Sequence, residues 1–171
     1  MPSATQLIRR DHKKVEGLFD KFEQTKKAEA KKRIADQVLQ ELEIHAKLEE
    51  EIFYPAVRKH LGEEDMLEEA KQEHEQAKKI MRELKKMQSE DEQLEETFSE
   101  LVDCIKHHVE EEEGEMLPKV EESDMDLTEI GDEMLERKEE LTAQMRATST
   151  KSGAGRKPAK TARRRKSGRA A

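Results

Sequence analysis

Two His-x-x-x-Glu motifs stand out in a chain dominated by lysine and glutamate: His45 with Glu49, and His108 with Glu112. A separation of four puts both side chains on one helical face, a turn apart, close enough to hold one metal ion or two adjacent ones. Each motif has a proline six residues beyond its glutamate, in HAKLEEEIFYP from His45 to Pro55 and HVEEEEGEMLP from His108 to Pro118. One copy in so acidic a sequence is weak evidence. Two copies in one frame read as a helix-pair unit used twice. The frame also separates overlapping candidates. His107 and Glu111 have the same spacing, but only His108 and Glu112 keep the distance to the proline and the apolar phase.

The elements that must position these residues follow from helical periodicity. Ile8, His12, Val15, Phe19 and Phe22 fall at spacings of 4, 3, 4 and 3, behind a capping box formed by Ser3 and Gln6. Val38, Leu42, His45, Glu49 and Ile52 repeat the spacing. Pro55 interrupts this second stripe and predicts a kinked last turn that ends at Gly62. A third stripe holds Leu67, Ala70, His74, Ala77, Met81 and Leu84, and a fourth holds Phe98, Leu101, Ile105, His108 and Glu112. Short connections near residues 28, 62 and 90 predict antiparallel neighbours. A fifth segment, capped by Asp126, carries Leu127, Ile130, Met134, Leu135, Leu141 and Met145, and is expected to pack across the bundle or along one edge. The expectation is an all-α protein: an antiparallel up-down four-helix bundle with an additional C-terminal helix over residues 1–146.

Four histidines, one per stripe, and two glutamates therefore lie in register with apolar residues. A lone histidine on such a face is ordinarily a satisfied core residue. Two unpaired carboxylates are not, because each costs several kcal/mol to bury. A metal cluster explains all six. Mixed imidazole and carboxylate ligands suit iron, manganese or zinc. Bridging carboxylates within a bundle are typical of di-iron and di-manganese sites, and a single zinc would leave half of the set unused. The one cysteine, Cys104, excludes an internal disulfide and a cysteine-based zinc site.

The stretches RRDHKKVEGLFDKFE, HAKLEEEIFYPAV, EEAKQEHEQAK and HHVEEEEGEMLPKV, with the closing DLTEIGDEMLERKEEL, resemble the hemerythrin-like HHE cation-binding family over about residues 5–145. The resemblance implies a centre of two non-haem iron ions, with Glu49 and Glu112 as bridging ligands and His12, His45, His74 and His108 as terminal ones. It also implies a small diatomic ligand, oxygen or nitric oxide, or peroxide. Oxygen-carrying hemerythrins have a fifth histidine one turn from another on the third helix. Here those positions are Ala70 and Lys78. Water, a glutamate such as Glu73 or Glu50, or an open position is left in place of the fifth histidine. Binding or sensing of oxygen, nitric oxide or iron is the expected role; the alternatives are enzymatic peroxide or nitric oxide removal, and a nucleic-acid-associated protective metal-binding protein acting through a basic tail. Tyr54 either packs at the bundle end or hydrogen-bonds at the metals, and His60 and His107 read as surface residues.

Composition agrees with solvated helices: charged residues make up 43% and aromatics 3%, with no tryptophan. Charge is divided along the chain. The chain is −8 overall, and residues 151–171 carry nine Lys or Arg and no acid, which leaves −17 on the first 150 residues. Residues 147–171 lack large apolar side chains and are expected to be a disordered basic tail. RKPAKTARRRKSGRAA resembles the tails of linker-histone-like proteins. Its lysines and arginines suit non-specific DNA or RNA contact, and its lack of aromatics argues against base readout. The absence of a signal-like apolar segment and of any membrane span, with the single cysteine, leads to a cytoplasmic expectation.

Overall fold

The computed structural model describes residues 1–153, and the rest of the basic tail lies outside them. Helix α1 (Ala4–Gln24) opens on the expected capping box: Ser3 Oγ accepts from the Gln6 N–H at 3.3 Å, and Gln6 Oε1 accepts from the Ser3 N–H at 3.0 Å. Helix α2 (Ala28–Leu48) runs into a wide π-turn, Glu49–Phe53, followed by α3 (Tyr54–Leu61). A left-handed pair, Gly62 at φ +77° and Glu63 at φ +42°, reverses the chain into α4 (Glu64–Lys86). Helix α5 (Leu94–Glu111) runs into a second π-turn, Glu112–Met116, then α6 (Leu117–Glu121). Helix α7 (Leu127–Gly153) closes the described chain, with Asp126 Oδ1 accepting from the Glu129 N–H at 3.0 Å.

The two π-turns correct the expected kink at Pro55 and recur before Pro118. Proline lacks an N–H, and its ring collides with the carbonyl four residues back in an α-helix. Widening one turn to i→i+5 bonding relieves this without breaking the rod. The N–H of Tyr54 bonds to Glu49 O, and that of Leu117 bonds to Glu112 O. Both prolines therefore sit just after a turn that starts on a candidate ligand.

α1 pairs with α2 and α4 with α5, and these pairs form the antiparallel bundle. Two apolar layers fill it. One gathers Ile8, Leu48, Phe53, Val57, Leu67, Leu117 and Met134. The other gathers Val15, Phe19, Val38, Leu42, Leu84, Phe98 and Leu101, with Phe22 stacked on Phe98 at 3.8 Å between ring centroids. In α1 and α4 the candidate histidine falls between the layers, His12 between Ile8 and Val15 and His74 between Ala70 and Ala77.

α7 packs along the α1/α2 edge. It buries Ile130, Met134 and Leu141 and pairs Arg137 with Glu51 at 2.7 Å and Lys138 with Asp11. It continues past the boundary expected near Ala147. Thr148 and Ser149 bond back to Met145 O, and Thr150 to Ala147 O, at 2.9–3.0 Å, so the hydroxyls satisfy themselves within the helix. No helix among the described residues is long and apolar enough to cross a membrane.

α7 meets the start of α1 at Gly131, where a Cβ would lie 2.5 Å from Pro2 O and 2.9 Å from Ala4 N. These are backbone atoms and cannot swing aside. Gly131→Ala is expected to destabilise the protein by about 1–3 kcal/mol through overpacking, measured by urea unfolding. An unchanged midpoint would show that α7 is not held there.

Candidate metal centre

All six sequence-selected residues meet in the polar layer. Glu49 is 0% exposed, Glu112 2%, His12 4%, His108 5%, and His45 and His74 6% each. The imidazoles form two pairs. His12 Nε2 lies 3.2 Å from His45 Nε2, and His74 Nε2 lies 3.2 Å from His108 Nε2. Two nitrogens bound to one ion at ~2.1 Å and roughly 100° stand about this far apart.

Glu49 spans the two pairs. Its Oε1 is 3.0 Å from His45 Nε2, and its Oε2 is 3.1 Å from His74 Nε2. Glu112 Oε2 also reaches both pairs, 3.1 Å from His108 Nε2 and 3.6 Å from His12 Nε2. Glu49 Oε1 and both oxygens of Glu112 are buried without a hydrogen bond. Buried carboxylate oxygens left unpaired, beside four imidazole nitrogens turned to the same point, fit a metal pair and fit apolar packing poorly.

The outward nitrogens face carboxylates. Glu113 lies 2.7 Å from His12 Nδ1, Asp11 3.5 Å from His45 Nδ1, and Glu50 3.8 Å from His74 Nδ1, while Glu73 hydrogen-bonds His108 Nδ1. Carboxylates in this place orient the rings and raise their basicity. Each neighbours a ligand in sequence but serves a histidine on another helix. Asp11 and Glu73 precede His12 and His74; Glu50 and Glu113 follow Glu49 and Glu112. The halves are thus related by a pseudo-twofold. Sequence reasoning missed Asp11 and Glu113 and offered Glu50 and Glu73 as shell-completing ligands. Both instead face Nδ1 atoms, with Glu50 also held by Lys78 at 2.6 Å. Adjacency to a ligand was the available signal, but it does not reveal the helix served.

Tyr54 packs and bonds at once. Its hydroxyl donates to Glu49 Oε2 at 3.1 Å and lies 3.3 Å from His74 Nε2. Five residues after Glu49, it would point about 140° away on an ideal α-helix; the π-turn brings it back over the carboxylate. The pseudo-equivalent residue after Glu112 is Leu117. Burial and the charges of Glu112 and Glu49 push the phenol pKa up, so Tyr54 remains a donor. Of the positions one turn from His74, Ala70 is buried in the core and Lys78 pairs with Glu50. The side chain of His107 is 63% exposed and lies 3.1 Å from Glu111, and His60 is exposed.

The model of the Hemerythrin HHE cation binding domain matches residues 3–120. The chain belongs to this family. A solved structure of a Hemerythrin HHE cation binding domain-containing protein from Mycobacterium kansasii superimposes with TM-score 0.76 at 25% identity, covering 91% of this chain and 96% of that one. A DNA nickase of Nostoc sp. is 29% identical over 67% of this chain, and a hemerythrin-like protein of Schizosaccharomyces pombe is 27% identical over 71%. The matches span 32% and 61% of those two proteins. This HHE domain is a metal-binding one, and the paired His/Glu clusters are groups that could hold a metal ion.

Without metal, the HHE cluster holds protons. Burial opposes charge on His45, but the field of Glu49 and contacts with Asp11 and Glu49 outweigh it and push its pKa up to about 10. Burial likewise opposes charge on His108, and contacts with Glu112, Glu49 and Glu73 push it up to about 12. Burial would raise Glu49, yet His45, His108 and His74 hold it well below its ordinary value. A folded pKa above the ordinary 6.5 of His45 stabilises the metal-free fold fully below that pH, and the gain is lost as pH rises toward 10. The chelator-treated protein is therefore expected to melt lower as pH rises from neutral to 10. Metal affinity should rise over the same range, because binding displaces protons. Calorimetry in buffers of different ionisation enthalpy measures the release; binding without released protons contradicts this account.

Proposed function

We propose that the chain is a non-haem di-iron protein that binds or senses a small ligand: oxygen, nitric oxide or peroxide. The observation carrying this reading is the straddle of Glu49, with one oxygen on the His45 side and the other on the His74 side. A mononuclear site has no use for it. The pairs are alike, two imidazoles each with two shared carboxylates, so the missing fifth histidine leaves neither side saturated. Iron would supply the electrons and the Lewis acidity for such ligands. The protein would hold it through His12, His45, His74, His108, Glu49 and Glu112. Beside the four imidazoles lies a cavity of about 30 Å³, walled further by Val15, Leu42, Ala77, Met81 and Ile105. That is room for a diatomic molecule or peroxide and little more. Tyr54, on Glu49, holds the carboxylate in place and keeps a proton at the His74 side.

Elemental analysis of the protein as isolated is expected to give two irons per chain. Removing them with chelator should lower Tm by on the order of 10 °C, from about 4 kcal/mol of linkage at a thousandfold excess over Kd. Glu49→Ala and His108→Ala should abolish the pair. The reading fails if no transition metal is found and both variants melt like the parent. Catalytic oxygen evolution from peroxide would move the protein to the alternative, a peroxide-degrading enzyme; stoichiometric bleaching would keep it among the binding proteins.

A second reading concerns the tail. Nine basic residues without an acid within 151–171 favour nucleic-acid contact, as does similarity to a protein named as a DNA nickase. Deleting residues 154–171 is expected to abolish DNA retention at low salt and its salt dependence. Equal retention by the shortened chain would end this reading.

A further inference from the structure

The spare His-x-x-x-Glu pair, His107 and Glu111, lies outside the centre. Under the pseudo-twofold its counterparts on α2 are Ile44 and Leu48, both buried in the apolar layer that α7 helps to close. On α5 the same two positions are polar and reach solvent, with side chains 63% and 36% exposed. Glu73 joins them from α4. Its Oε2 holds His108 Nδ1, while its Oε1 faces His107 Nε2 at 3.7 Å. That Oε1 is buried and has no hydrogen-bond partner. Glu73, His107 and Glu111 each offer a ligand atom within 4.8 Å of the other two.

Below this cluster is a pocket of about 20 Å³, shared by surface Glu69 and Glu115, by Glu73 and Glu111, and by His108 and buried Glu112 of the centre. Among the described residues no lysine or arginine lines it. Glu112, 2% exposed and with both oxygens free of hydrogen bonds, joins this pocket to the centre, where its Oε2 lies 3.1 Å from His108 Nε2. Such a row of carboxylates repels itself unless cations enter it. On the other half Asp11, the counterpart of Glu73, is paired instead with Lys138 of α7.

We infer that Glu73, His107 and Glu111 form an outer site for a divalent transition-metal ion, through which the dinuclear centre is loaded past Glu112. The inference rests on reading the centre as a metal pair. One imidazole with carboxylates selects iron, manganese or zinc over calcium or magnesium. Partial exposure leaves the outer ion hydrated and loosely held, and the drier, ligand-richer centre draws it inward.

The test uses full-length metal-free protein mixed anaerobically with one equivalent of iron(II). Samples are quenched with a fast chelator and desalted, and retained iron is measured. His107→Ala/Glu111→Gln should slow uptake about tenfold, the lower end of what a focused charged cleft contributes, and should reach the parent's final iron content. Glu96→Gln/Glu100→Gln, which removes two exposed charges elsewhere on α5, should load at the parent's rate. Parental uptake by the first variant overturns the outer site, as does equal slowing in the control, which would assign entry to bulk charge. A parent that retains no iron overturns the metal-pair reading itself and the outer site with it.

Discussion

Two carboxylates placed where water cannot reach them govern this protein. Glu49 and Glu112 lie within the bundle at 0% and 2% exposure, and ionised carboxylates there require positive charge at contact distance. The raised pKa values of His45, His74 and His108 let imidazolium supply part of it in the metal-free fold, and bound metal would supply it in place of those protons. The metal-free and metal-bound states are thus alternative solutions to one electrostatic demand. Asp11, Glu50, Glu73 and Glu113 sharpen it: they fix the rings and deepen the negative field that metal or protons must answer. Lys78 on Glu50 and Lys138 on Asp11 offset part of that outer charge.

The fold delivers this layer by repetition. Each half contributes a histidine helix and a helix bearing histidine and glutamate, and each of the latter widens into a π-turn at the glutamate before its proline. The His-x-x-x-Glu pairs and the proline frame were legible because they depend on short-range spacing, and the apolar phase brought in His12 and His74 for the same reason. The π-turns were not. Proline announces an interruption, but a kink, a break and a widened turn begin from the same residues. Tyr54 was consequently ambiguous, because its direction depends on which of these forms.

The ring-orienting carboxylates were illegible for another reason. In a chain with 41 Asp and Glu, glutamate beside a ligand carries little information, and the histidine that it meets belongs to another helix. Tertiary geometry decides it. The end of α7 was also misplaced by composition: Thr148, Ser149 and Thr150 looked like tail, yet their hydroxyls bond into the preceding turn and the helix runs to Gly153.

Pseudo-symmetry makes the departures from it informative. The two pairs offer the same donor types, so ligand count does not distinguish the two halves; their surroundings do. On Glu49 a buried phenol donates a hydrogen bond, where Glu112 has Leu117 as its neighbour. Asp11 is paired with a lysine from α7, whereas its counterpart Glu73 faces His107. The helix added after the four-helix repeat therefore does more than bury Met134 and Leu141. By placing Lys138 on Asp11 it makes the two halves electrically unequal, with one of these outer carboxylates paired with a cation and its counterpart set against an imidazole.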